Sequence, residues 1–262
     1  MNSDATPLLD VRGVSYRFLG VQALSNVSAA IGRGEILGLI GPNGSGKTTL
    51  LNVITGIYRA MSGCVLLEGR DITHLEPHAV AAGGVMRTFQ APRLFSRLGL
   101  LEHAIIPMSA VSRPVSLSSL VCNLGRPWAS FNRAATEVLR RVSLTDATGV
   151  TAGSLSYGQK RTLELVRCLA GSPKLLLLDE PTAGLNRKET EDFHSLLGAL
   201  ASSSGIAILV IDHDIEFIQA LCHRLLVLVN GKLISNGPPE RVLADPQVID
   251  SYLGEGLRNA VG

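Results

Sequence analysis

Eight residues, GPNGSGKT from Gly41 to Thr48, carry the most specific chemistry in the chain. Their spacing, G-x-x-x-x-G-K-[ST], lets successive backbone N–H groups turn inward around phosphate oxygens, because glycine has no Cβ to obstruct the approach. The stretch follows an apolar run, EILGLI, and precedes a helix-forming one, TLLNVITGI. The loop therefore ends on a helix N-terminus, whose partial positive charge adds to that of Lys47 at the β- and γ-phosphates. Gly41, Pro42, Asn43, Gly44, Ser45, Gly46, Lys47 and Thr48, with Thr49 behind them, are the expected contacts of a nucleotide's phosphates. The Thr48 hydroxyl is an expected Mg²⁺ ligand.

LLLLDE, Leu175 to Glu180, supplies the second half of such a site. An apolar strand ending in two acids puts carboxylates at the C-terminal edge of a parallel sheet, where ligands bind. Asp179 is expected to hold Mg²⁺ and Glu180 to polarise the water that attacks the γ-phosphate. His213, in VIDHD, closes the next apolar run, where an imidazole can donate a hydrogen bond to the γ-phosphate. Gln90, in MRTFQAPRLF, has no assignment of its own and gains one only from the constellation around it.

The elements that must hold these residues fall into three zones. From Leu8 to about Gly69, short β-like runs (LLDVRGVSYRF, EILGLI, GCVLLEG) alternate with glycine-containing turns. From Pro92 to Gly153 the pattern is helical and irregular: SRPVSLSSLVCNLGRPWASFNR reads as a loop or broken helix, and FNRAATEVLRRVSL as an amphipathic helix. From Gly158 helices and apolar strands alternate, namely QKRTLELVRCLA, KLLLLDE, RKETEDFHSLLGALASS, IAILVIDHD, DIEFIQALCH and RLLVLVNGK. Continuously apolar strands between helices predict a parallel sheet covered on both faces.

Composition removes other classes. Of 262 residues, 46% are hydrophobic and 18% charged, enough for a sizeable core. The mean hydropathy of +0.27 is high for a soluble protein, yet the longest apolar runs have strand length, so no membrane span is expected. The N-terminal MNSDATPLLDVRG lacks the basic start and apolar run of a signal peptide. Cys64, Cys122, Cys168 and Cys222 form no C-x-x-C pair and read as reduced packing residues of a cytosolic protein. A net charge of +2 and 4% aromatics give no case for nucleic acid as a partner.

A phosphate loop, a downstream Gln, LSYGQ at Leu155 to Gln159, an apolar-DE strand and a final His occur in that order. In this the chain resembles the nucleotide-binding subunits of ATP-binding cassette (ABC) transporters, over essentially all of residues 8–253. The resemblance implies an α/β P-loop NTPase fold: a RecA-like parallel-sheet core, an N-terminal antiparallel β subdomain and an inserted α-helical subdomain. It implies one ABC ATPase domain over 1–262, with core and β subdomain at 8–91 and 154–253, the helical subdomain at about 92–153 and a tail at 254–262. Gln90 becomes the Q-loop residue and a further Mg²⁺ contact, LSYGQ the signature, AGLN (Ala183 to Asn186) the D-loop and His213 the switch histidine. The aromatic against adenine is Phe18, with Tyr16 as the alternative. In this family two cassettes meet head to tail, so Ser156, Gly158 and Gln159 of one subunit close over the ATP held by the other.

Departures from the general pattern narrow the subtype. Tyr157 stands where a glycine is usual, and Asn186 where Asp is more widespread. With RTFQ, RLF, DEPTAGLN and DPQVIDSYLG, the chain is similar to the ATPase subunits of high-affinity branched-chain amino acid importers. Arg187, where that subfamily continues GLNP, and IDHDI, for an IEHDM-like segment, leave urea, short amides or other small polar solutes open. An exporter subunit and a soluble ABC protein are further alternatives. The resemblance implies permease subunits docked on the helical subdomain and Q-loop, a homodimer or a heterodimer with a paralogous ATPase, and an extracytoplasmic solute-binding protein. It places the chain peripherally on the cytoplasmic face of the cell membrane.

Overall fold

A computed structural model of the chain describes residues 6–89, 93–111, 126–142, 144 and 149–253. The strands are β1 (Leu9–Phe18), β2 (Val21–Ile31), β3 (Ile36–Ile40), β4 (Ser62–Leu67), β5 (Arg70–Asp71), β6 (Val85–Arg87), β7 (Leu175–Asp179), β8 (Ala207–Ile211), β9 (Arg224–Val229) and β10 (Lys232–Gly237). The main helices are α1 (Lys47–Ile54), α2 (Pro77–Ala82), α3 (Leu100–Val111), α4 (Arg126–Arg141), α5 (Tyr157–Ala170), α6 (Arg187–Ser204), α7 (Ile215–Leu221) and α8 (Pro239–Leu243).

Two sheets share the strands. One runs β2-β1-β4-β5 and is antiparallel throughout. The other runs β10-β9-β3-β8-β7-β6, parallel from β9 to β6 and antiparallel only at the β10 edge. Every residue of β3, β7 and β8 is buried, the expected mark of a sheet covered on both faces. Strand alternation divides them: Leu37, Leu39, Leu175, Leu177, Leu209 and Ile211 face α1 and the antiparallel sheet, whereas Ile36, Ile40, Leu176, Leu178, Ile208 and Val210 face α6 and α7. Burying each such side chain contributes about 2 kcal/mol.

A third apolar cluster joins α3, α4 and α5 through Leu100, Ala104, Ile105, Ala135, Leu139, Leu163, Val166 and Ala170. Its base is closed by the chain itself. Ala152 N–H donates to Leu98 O and Gly153 N–H to Ser96 O, both at 2.9 Å, and Gly99 bridges Thr151. The helical zone therefore leaves and rejoins the fold side by side. The helix α5 serves two layers: Leu163 and Val166 belong to the helical cluster, and Leu165 and Cys168 to the sheet cluster. Cys122 and the tail 254–262 lie outside the described residues.

β2, β5, β6, β10, α2 and α8 were not anticipated. In β2 the buried residues Leu24, Val27 and Ile31 lie three and four apart, a helical spacing, because register shifts interrupt the β1–β2 ladder. β6 is three residues long and shows no period at all. The β9–β10 hairpin turns on Asn230 and Gly231, whose φ values of 48° and 74° suit an Asn-Gly two-residue turn. Its tip meets two other segments: Gly231 O accepts from Ser25 N–H and Gly231 N–H donates to Ser45 O.

Candidate functional site

The GPNGSGKT loop links β3 to α1 at the C-terminal end of the parallel strands, where open α/β sheets bind ligands. Gly41 has φ 150°, and a Cβ there would stand 2.0 Å from Leu228 O; Gly46 has φ 106°, with Ala23 O at 2.4 Å. Neither position admits another residue without moving backbone. Pro42 is half-buried, Asn43 and Gly44 are exposed, Thr48 is exposed and Thr49 is half-buried. The buried Lys47 folds back over the loop, its Nζ donating to Gly41 O at 2.7 Å and Pro42 O at 2.9 Å. Burial lowers the Lys47 pKa, and the charges of Glu180 and Asp179 oppose that shift.

Asp179 closes β7. Its Oδ2 accepts from Arg87 at 2.8 Å in a buried ion pair, and Arg87 also donates to Asn52 Oδ1 on α1 at 2.6 Å. Arg87 therefore ties the helix after the phosphate loop to the acidic strand. Asp179 Oδ1 and Ser45 Oγ are buried with no hydrogen-bond partner among the described residues. The unpartnered Asp179 Oδ1 and the exposed Thr48 hydroxyl, in the first turn of α1, are hard oxygen donors of the kind that suits Mg²⁺.

Glu180 has φ 51°, a left-handed backbone that costs a non-glycine residue about 1 kcal/mol or more. Its N–H donates to Ile211 O at 2.7 Å, which joins the acid to β8. Just past β8, His213 Nε2 lies 3.2 Å from Glu180 Oε1. The sequence-predicted water-polarising acid and histidine are thus brought within one hydrogen bond of each other. Asp212 holds the turn between them: Oδ1 accepts from His213 N–H and Asp214 N–H, and Oδ2 from Thr182 N–H and Oγ1. The change from IEHDM to IDHDI therefore falls on a buried acid with four donors, although it touches no reacting atom.

At the start of α5, Ser156 and Gln159 form a capping box. Ser156 Oγ accepts from Gln159 N–H at 3.2 Å, and Gln159 Oε1 accepts from Ser156 N–H at 3.0 Å. Ser156 is exposed, while a Cβ on Gly158 would strike Glu189 of α6 at 2.4 Å. The close approach that Gly158 permits inside this chain is to Glu189. Tyr157 covers Gly184 of the AGLN turn, since a Cβ on that glycine would be 2.8 Å from its ring, and Arg161 sits over the same ring at 5.5 Å. Asn186 caps α6 by accepting from Glu189 N–H, a task that Asp performs equally well.

Phe18 stands near the tip of the β1–β2 hairpin, 40% exposed. Tyr16 is stacked on Tyr58 (centroids 5.0 Å, 10° between planes), and Phe18 meets both rings edge-on. Tyr16 has one face covered, which leaves Phe18 as the more available aromatic. Gln90 lies outside the described residues. Reading the sequence missed Arg87, Asn52 and Asp212; the available signal for Arg87 was a full charge ending a strand, VMR, that is otherwise apolar. Among the described residues no cluster of His, Cys, Asp and Glu could hold a metal by itself, and no helix is long and apolar enough to cross a membrane.

Comparison with known proteins adds three findings. The profile of the ABC transporter family matches residues 24–183, and that of the branched-chain amino acid ATP-binding cassette transporter matches residues 232–257. The chain is 37% identical to the high-affinity branched-chain amino acid transport ATP-binding protein BraF of Pseudomonas aeruginosa, over 95% of this chain and 98% of that one. Among solved structures it superposes on an ATP-binding cassette of an ABC transporter in its ADP conformation (TM-score 0.82, 32% identity, 95% of this chain and 100% of the other). It also superposes on a dimeric ATP-binding cassette in a post-hydrolysis state bound to ADP and Pi (TM-score 0.74, 25% identity, 88% and 98%).

Proposed function

The chain belongs to the ABC transporter family, and on that premise we propose that it is the ATP-hydrolysing subunit of an importer for branched-chain amino acids. The observation that carries the reading is the convergence of Lys47, Asp179, Glu180 and His213 on one edge of the parallel sheet, on a chain whose end matches the branched-chain profile.

ATP enters with its phosphates over Gly41 to Thr49, and Lys47 exchanges the Gly41 and Pro42 carbonyls for β- and γ-phosphate oxygens. Phe18 stacks on adenine. Glu180 accepts a proton from the attacking water, and His213 orients that carboxylate and donates to the γ-phosphate. Thr48, Asp179 and Gln90 would hold Mg²⁺, which would neutralise phosphate charge. Ser156, Gly158 and Gln159 complete the ATP site of a second cassette, identical or paralogous. A site divided between two subunits is whole only when they close, so ATP favours closure and hydrolysis permits opening.

Peripheral attachment to the cytoplasmic face of the membrane follows, through permease subunits served by an extracytoplasmic binding protein. The exposed Phe95, beside the helical layer, suits a permease segment. The test is uptake. Cells in which this chain carries Lys47→Ala should lose accumulation of radiolabelled leucine, isoleucine and valine while urea uptake is unchanged. Loss of urea or amide uptake with normal leucine uptake would reassign the solute.

A further inference from the structure

Arg161 and Glu164, on α5, form an ion pair with N and O 3.4 Å apart and side chains only 2% and 5% exposed. Both reach the backbone of Phe89. Glu164 Oε1 accepts from Phe89 N–H at 3.2 Å, and Arg161 donates to Phe89 O at 2.7 Å. The second terminal nitrogen of Arg161 reaches Glu180 O at 3.4 Å. Farther along the same helix, Arg167 donates to Arg93 O. The helix that opens with LSYGQ therefore grips Phe89 and Arg93, the residues flanking 90–92, together with the backbone of Glu180. The Phe89 ring also has Arg87 and Arg93 over it at 5.7 and 4.6 Å, and Arg87 is the partner of Asp179.

A buried ion pair is a poor source of stability, because desolvation offsets most of the attraction and apolar replacements of similar size are often neutral or better. Burial raises the Glu164 pKa despite the neighbouring Arg161, as expected of a costly pair. What the pair does supply is geometry. Glu180 has a left-handed backbone whose N–H is held by β8 and whose carbonyl is held by Arg161.

We propose that Arg161 and Glu164 are positioning residues for hydrolysis, an internal clamp that sets the Glu180 backbone and the Phe89 backbone at a fixed place relative to the signature helix. A shift of α5 then moves the water-polarising acid directly. The inference rests on the ATPase reading, and an inactive parent protein would contradict that reading rather than the clamp.

The experiment compares the full chain with Arg161→Lys, Glu164→Gln and the double variant Arg161→Met/Glu164→Met, measuring kcat, the KM for ATP, the Kd for ADP and the Tm. Lys keeps the charge but offers a single point donor that cannot span Phe89 O and Glu180 O. Arg161→Lys should lower kcat about tenfold or more, with KM and Kd within about twofold of the parent. The double variant should recover the parental Tm and keep the low kcat. Parental kcat in Arg161→Lys, or recovery of kcat together with Tm in the double variant, would overturn the proposal and leave the pair a packing feature.

Discussion

Arg87 shows how much one side chain can organise. It pairs with Asp179 in the interior and reaches Asn52 on α1, so three segments of the nucleotide site meet on one guanidinium. Removing one partner of a buried pair leaves the other uncompensated, so Arg87→Met should destabilise the protein by about 3 kcal/mol, measured by urea unfolding. A second residue makes stability depend on pH. His103 is fully buried; its Nε2 accepts from Phe95 N–H and its Nδ1 donates to Gly99 O. Burial lowers its pKa below 6.5, with Arg167 pushing the same way and Gly99 and Glu102 opposing. As pH falls below that value the unfolded chain binds the proton first, so stability is full above about pH 6.5 and declines on acidification. A Tm series from pH 7.5 to pH 5.5 should fall less in His103→Gln than in the parent, even though the variant begins lower.

Among the elements, the capping boxes give the cleanest measure of local sequence logic. Asn186→Ala removes the cap of α6 and should cost about 1 kcal/mol, or roughly 2–4 °C in Tm, whereas Asn186→Asp should change little. Scanning calorimetry on the two variants decides it. That result would explain why a D-loop ending in Asn departs from the common pattern without loss. The same comparison shows what the sequence could display. β3, β7 and β8 were legible because short, nearly continuous apolar runs have one common use in a sheet covered on both faces, and GPNGSGKT because its chemistry is local. β2 was not legible, because register shifts space its buried residues at three and four. Arg87, Asn52, Asp212 and the Phe89 clamp were not legible either, since each depends on partners 30 or more residues distant that only the fold brings together. Tyr157 was visible as a departure, but its use as a cover for Gly184 required the structure.

At the scale of the whole molecule, the signature and the phosphate loop lie on different elements, and the resemblance assigns them to opposite halves of two composite sites. Hydrolysis should therefore depend on association. Specific ATPase activity should rise with protein concentration until subunits are fully paired, and a constant specific activity at all concentrations would favour a self-sufficient monomer. The Glu180–His213 contact makes the most direct test available, because Glu180 is the group expected to act on water and not on nucleotide. Glu180→Gln should bind ATP as the parent does, lose hydrolysis by a factor of about 10² or more, and elute as a dimer with ATP and as a monomer with ADP. Parental ATP turnover by Glu180→Gln, or a monomer in the presence of saturating ATP, would contradict the account.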